Sequence, residues 1–263
     1  MTAIAEINGT ATAYDMTGRG PALLLIHGAE GGRRMFDDFV RVLERDFTVV
    51  RYDQRDCGET RNSPTSATLE ELASDAAAFL EKLGLAPAVV YGTSFGSRIA
   101  QLVAIRHPEV VRGLVLGSAW PLPLALPALN PAGIARMIEL RAGLPGTAAE
   151  MAGMFVPPAF LQDHPALRDR LMAMGGSDPE RAGRRRSVIA DGSQASADAI
   201  GRPTLLIAGE EDRIVPASVT LGMAATIAGA RTVALTGVGH ATTLQVPDLV
   251  ARHVLDFAGT LDG

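Results

Sequence analysis

The chain has 263 residues, 47% hydrophobic and 20% charged, enough for one sizeable core with room for an inserted subdomain. Its formal charge is −5, with acids and bases interspersed, so it lacks the basic stripe of a nucleic-acid binder. A single cysteine, Cys57, excludes an internal disulfide framework, and neither Cys-x2-Cys nor His-x3-His spacing occurs, so no metal or cofactor is expected.

Residues 1–20 lack a basic region followed by an apolar one, and no apolar run approaches the roughly 18 residues of a membrane span. The expectation is a cytoplasmic monomer or homodimer without a membrane partner. Lys82 is the only lysine, so nearly all positive charge is arginine.

In chain order, residues 4–14 suggest an antiparallel edge hairpin. Short apolar runs at 22–26, 48–52, 88–91, 113–116, 204–208 and 232–235 read as central strands of a mainly parallel sheet. Helical patterns lie between or after them at 35–44, 69–83, 97–107, 217–228 and 248–258. Strands alternating with such helices imply an α/β fold with a doubly wound sheet and helices on both faces. The stretch 120–201 breaks the alternation. It has a proline-rich entry (Pro121, Pro123, Pro127, Pro131), five of the nine methionines and no clear strand. It is too long for a loop. The expected division is a core of 1–119 and 202–263 with a helical cap of 120–201 over the strand ends, where open α/β sheets bind ligands.

One pentad, Gly92-Thr93-Ser94-Phe95-Gly96, follows the apolar run at 88–91. With 28 glycines in the chain, a chance Gly-x-Ser-x-Gly would be unsurprising, so its context must carry it. After a buried strand it suggests a nucleophile elbow, in which flanking glycines permit a turn too sharp for larger side chains and leave the serine exposed. An activated serine then needs a base, an orienting carboxylate and oxyanion donors. His240, in the loop Gly237-Val238-Gly239-His240 past the last strand, is the candidate base. Asp212, in Gly209-Glu210-Glu211-Asp212, is the candidate acid, with Glu210 and Glu211 as alternatives. The order Ser94, Asp212, His240 is that of the α/β-hydrolase arrangement. The oxyanion donors expected are the amides of Phe95 and Ala29, the latter in the glycine-rich loop His27-Gly28-Ala29-Glu30-Gly31-Gly32, which His27 would brace.

With these residues placed, the chain resembles capped serine esterases of the α/β-hydrolase superfamily. The resemblance rests on the His27-Gly28 loop, Tyr52-Asp53-Gln54-Arg55-Asp56-Cys57-Gly58, the elbow, Gly209-x-x-Asp212 and Gly239-His240. Length, compact cap and the entry into Pro203 look like 3-oxoadipate enol-lactonases and small carboxylesterases. Tyr52-Asp53-Gln54-Arg55 and the elbow are also similar to proline iminopeptidases, which usually carry a proline near the place of Glu30. The resemblance implies hydrolysis of a carboxylic ester, lactone or thioester through an acyl-enzyme, without a cofactor. Its alternatives are an aminopeptidase, or a lyase or carbon–carbon bond hydrolase using the same triad. A small, mainly apolar acyl substrate is expected in a pocket formed by Glu30, Trp120, Met151, Met154 and Phe155, with Phe95, Leu122, Leu124 and Phe160 nearby. The arginine run 184–186 reads as a solvated helix face, with attraction of an anionic substrate as the alternative.

Overall fold

The computed structural model describes residues 2–29, 31–60, 66–173, 179–190 and 192–261. The strands are β1 (Ala3–Ile7), β2 (Thr10–Gly18), β3 (Ala22–Ile26), β4 (Thr48–Tyr52), β5 (Ala88–Thr93), β6 (Val111–Gly117), β7 (Thr204–Gly209) and β8 (Arg231–Leu235). They form one sheet in the order β1-β2-β4-β3-β5-β6-β7-β8. Strands β4 through β8 pair in parallel, and β1 and β2 add an antiparallel edge. All six expected strands are present, but β8 is an exposed edge strand rather than a central one, because only β7 pairs with it; the edge hairpin runs on to Gly18 because the second arm also pairs with β4.

The side-chain period of two explains the layering. In β3, Leu24 and Ile26 enter the larger apolar cluster, while Leu23 and Leu25 enter a second one on the opposite face. The first face is covered by α2 (Leu69–Lys82) and α3 (Phe95–Arg106), the second by α1 (Asp37–Leu43) and α12 (Pro247–Gly259). Helix α2 starts at a capping box in which Thr68 and Glu71 bond each other's backbone amides. The helix expected at 217–228 is shorter: α10 (Ala217–Gly222) gives way to a tighter 3-10 turn over Met223–Ala225. A short α11 (Thr242–Gln245) follows the loop carrying His240.

Between β6 and β7 the described residues form α4 (Leu126–Leu129), α5 (Pro131–Ala142), α6 (Ala148–Phe155), α7 (Pro158–Asp163), α8 (Pro165–Met172) and α9 (Pro179–Ala190). Prolines open four of these (α5, α7, α8, α9), where the missing amide is harmless, since the first helical N–H groups have no intrahelical acceptor. Two ties fasten this helical insertion to the core at one edge. Arg170 on α8 pairs with Asp38 at 3.0 Å and donates to the Arg34 carbonyl. Among the described residues no helix is long and apolar enough to cross a membrane.

Candidate active site

The elbow is visible in the backbone. Ser94 sits between β5 and α3 at φ 52°, ψ −125°, a conformation that costs a non-glycine residue energy and persists only where its surroundings enforce it. The glycines on either side explain how the turn closes. A Cβ on Gly92 would lie 2.4 Å from the Gly96 carbonyl oxygen, and one on Gly96 would lie 2.3 Å from the Ile26 carbonyl oxygen. The helix therefore starts against the end of β3, which carries the loop from His27 onward.

The three side chains expected to cooperate meet. His240 Nε2 lies 2.9 Å from Ser94 Oγ, and His240 Nδ1 lies 2.8 Å from Asp212 Oδ2. Asp212 and His240 are buried, and Ser94 is half-buried at the floor of a cavity. The second carboxylate oxygen, Asp212 Oδ1, accepts the amides of Ile214 and Val215, each at 2.8 Å. The carboxylate is thus held by its own loop, and its free oxygen is aimed at the imidazole. Glu210 and Glu211, the alternatives read from the sequence, are exposed, and the carboxylate bonded to His240 is that of Asp212. The main chain around His240 is pinned as well. Ser118 Oγ donates to the His240 carbonyl at 2.9 Å, and the Gly239 amide donates to Gln245 Oε1 at 2.9 Å.

The loop after β3 is fixed by His27. This side chain is fully buried, and burial above all, aided by the positive charge of Arg185, pushes its pKa down to about 4. Its ring is neutral, with both nitrogens engaged: Nδ1–H donates to the Gly28 carbonyl at 2.8 Å and Nε2 accepts the Gln54 amide at 3.2 Å. In a trans peptide the C=O and N–H point in opposite directions, so holding the Gly28 carbonyl sets the direction of the Ala29 amide. Ala29 and Phe95 both border the cavity beside Ser94.

The cavity has a volume of about 460 Å³. Its wall is mainly apolar, with Trp120, Leu124, Leu126, Met137, Phe155 and Ile189 supplied by or next to the insertion, and with Arg98, Arg141 and Arg186 also on it. Of the pocket residues expected from sequence, Trp120 and Phe155 line it; Glu30 lies outside the described residues. Met151 and Met154 do not line it. They lie one helical turn apart on α6, and their shared face packs into the larger apolar cluster while the adjacent Phe155 turns to the cavity and sits 5.9 Å from the His240 ring. Leu122 is likewise buried in that cluster, and Phe160 stacks on His164 away from the wall.

The arginine run is also not the solvated face expected. Arg184 pairs with Asp56 at 2.8 Å and Arg185 is buried, leaving Arg186 as the exposed member, because one helix face bears on the loop after β4. Sequence reasoning gave Gln54 and Arg185 no place at the site; Gln54 entered only within the run Tyr52–Gly58 and Arg185 only as one of the three arginines at 184–186. Among the described residues no group of three His, Cys, Asp or Glu side chains is placed to hold a metal ion.

A family model described as the alpha/beta hydrolase fold matches residues 21–245. The chain belongs to the α/β-hydrolase family. This α/β-hydrolase is 26% identical over 260 residues to RutD of Azorhizobium caulinodans, provisionally named a carbamate hydrolase, covering 95% of both chains. It is 31% identical over 264 residues to the pimeloyl-[acyl-carrier protein] methyl ester esterase of Stenotrophomonas maltophilia, covering 94% of this chain and 96% of that one. Among solved structures it is similar to a thermophilic esterase from Thermogutta terrifontis, with a TM-score of 0.85, 25% identity and 99% of each chain covered. The α/β-hydrolase assignment makes this chain a hydrolytic enzyme.

Proposed function

We propose that this enzyme cleaves a carboxylic ester, lactone or thioester with an apolar acyl group, through a Ser94–His240–Asp212 triad and an acyl-enzyme. The observation that carries the reading is the continuous hydrogen-bonded line from Ser94 Oγ through His240 to Asp212, opening onto an apolar cavity. Ser94 Oγ attacks the carbonyl carbon as His240 Nε2 takes its proton. Asp212 keeps the imidazole Nδ1 protonated, so that Nε2 is the free base, and then stabilises the imidazolium. The Ala29 and Phe95 amides receive the tetrahedral oxyanion, each worth on the order of 3 kcal/mol to the transition state. The imidazolium then protonates the leaving alcohol or thiol, and the C–O or C–S bond breaks. A water deprotonated by His240 attacks the acyl-enzyme, and the second tetrahedral intermediate breaks its C–Oγ bond as His240 returns the proton to Ser94 Oγ and the acid leaves.

Two considerations favour an ester over an aminoacyl amide. The ester-cleaving names of two of the three similar proteins support it. So does the cavity wall, which among the described residues carries no carboxylate to hold a free ammonium group.

The test is direct. Wild type should hydrolyse aryl esters of graded acyl length, prefer them to an aminoacyl arylamide, and be labelled by a fluorophosphonate at Ser94. Ser94→Ala should lose labelling and at least about 10³-fold of kcat. Retention of wild-type hydrolysis by S94A, with no labelling of wild type, would sink the proposal.

A further inference from the structure

Arg181, Arg184 and Arg185 share one face of α9 because residues three and four apart are neighbours on a helix. That face bears on the loop after β4. Arg181 Nη2 donates to the Gly58 and Thr60 carbonyls at 3.2 and 3.4 Å, and Arg184 Nε to Asp56 Oδ1 at 2.8 Å. Arg185 is the unusual member. It is 6% exposed and donates from Nη2 to the neutral Gln54 Oε1 at 2.6 Å. Among the described residues it forms no ion pair with a carboxylate, and its Nε and Nη1 are buried without a hydrogen-bond partner. A buried cation left without a counter-charge is costly, and something in its surroundings must make use of it.

Its surroundings are the neighbours of both oxyanion amides. The guanidinium carbon lies 4.7 Å from the centre of the Phe95 ring, a cation–π contact on the residue that follows the nucleophile. On the other side, the Gln54 side chain that Arg185 holds donates its own amide to the His27 carbonyl at 2.6 Å. The Gln54 main-chain amide bonds the His27 ring, whose Nδ1–H in turn sets the peptide that carries the Ala29 amide. One side chain of the inserted helices therefore reaches the supports of both donors.

We propose that Arg185 is a positioning residue for acyl transfer: docked from α9, it aligns the Ala29 and Phe95 amides through Gln54 and the Phe95 ring, and its unneutralised charge favours the oxyanion as it forms. This rests on the reading of Ser94 as the nucleophile. Its consequence is that docking of the inserted helices and completion of the oxyanion site are one event. The two are linked because the contacts that seat α9, Arg185 on Gln54 and on the Phe95 ring, fall on the residues next to both donors.

Arg185→Met keeps an apolar stem of similar length and removes the charge and the donors. With a reactive aryl ester, R185M should keep a near wild-type KM and a full fluorophosphonate titre while kcat falls about 10- to 100-fold, less than the loss of a donor outright. The inhibition constant of phenylboronic acid, which forms a tetrahedral anion on Ser94, should rise by the same factor. Arg185→Lys should fall between wild type and R185M, and R185M combined with Gln54→Met should be little worse than R185M alone. Unchanged kcat and boronate affinity, or a raised KM with unchanged kcat, would overturn the proposal. Should R185M not fold, Q54M carries the same test with the same expected losses, and wild-type values there would overturn it. Failure of wild type to label at Ser94 would defeat the parent reading; labelling with wild-type behaviour of R185M would defeat this inference alone.

Discussion

Replacing Asp212 by asparagine isolates the role of one proton. In the structure Oδ1 accepts two main-chain amides, from Ile214 and Val215, and Oδ2 faces His240 Nδ1. An asparagine has one acceptor oxygen, and the two amides, both donors fixed by the loop, will claim it. Its NH2 group is then turned to His240 and can only donate. The imidazole must present an unprotonated Nδ1 to it, which puts the ring proton on Nε2, facing Ser94 Oγ. The base has become a donor, although no heavy atom has moved. The expected loss in kcat is on the order of 10⁴-fold, equivalent to about 5.5 kcal/mol of barrier. Folding should suffer far less, about 1–2 kcal/mol, because the packing and the two amide bonds survive. The assay is steady-state hydrolysis of an aryl ester together with the rate of fluorophosphonate labelling, beside urea unfolding of the same preparation. Labelling should slow with kcat, since both need a deprotonated Ser94. A D212N enzyme with more than a tenth of wild-type kcat would refute the tautomer argument and reopen the part given to Asp212.

Two further outcomes follow from the supporting structure. Gly96→Ala should destabilise the fold by about 1–3 kcal/mol in urea unfolding, because its Cβ would stand 2.3 and 2.6 Å from the Ile26 and His27 carbonyl oxygens, which are backbone and cannot swing away. A G96A protein as stable as wild type would show that α3 does not start against β3 as described. The buried His27 gives a pH signature. Its folded pKa, about 4, lies below the ordinary imidazole value of about 6.5, so the unfolded chain binds the extra proton first as pH falls. Stability should be complete above about pH 6.5 and decline toward pH 4, by about 3 kcal/mol in total. His27→Asn should lack that share of the slope when unfolding free energies are compared between pH 7 and 4.5. An unaltered slope would mean that His27 is not the proton acceptor.

Much of the architecture follows from local pattern. Runs such as the one at residues 22–26 bury both faces, and only a central strand between two helical layers satisfies that, so strand positions could be read directly from them. The elbow was legible because its glycines are steric necessities that leave a mark in one dimension. His240 and Asp212 were legible by their places after strands, in loops at the same end of the sheet. The face of α6 turned to the cavity was not legible, since Met151, Met154 and Phe155 are all apolar and either packing suits their composition. The arginines of α9 were read as solvated for the same reason: charge alone does not say which loop a helix will meet.

The positions of the strands, the sharp turn at Ser94 and the residue types available for acyl transfer are written in the chain itself, because periodicity, glycine sterics and functional-group chemistry act over a few neighbouring residues. Docking of the inserted helices is of another kind. It sets the cavity wall, buries Arg185 and connects it through Gln54 to the loop of Ala29, by contacts between residues 131 positions apart. No local pattern encodes such a contact, because its energy appears only when two separately formed elements exclude water from between them.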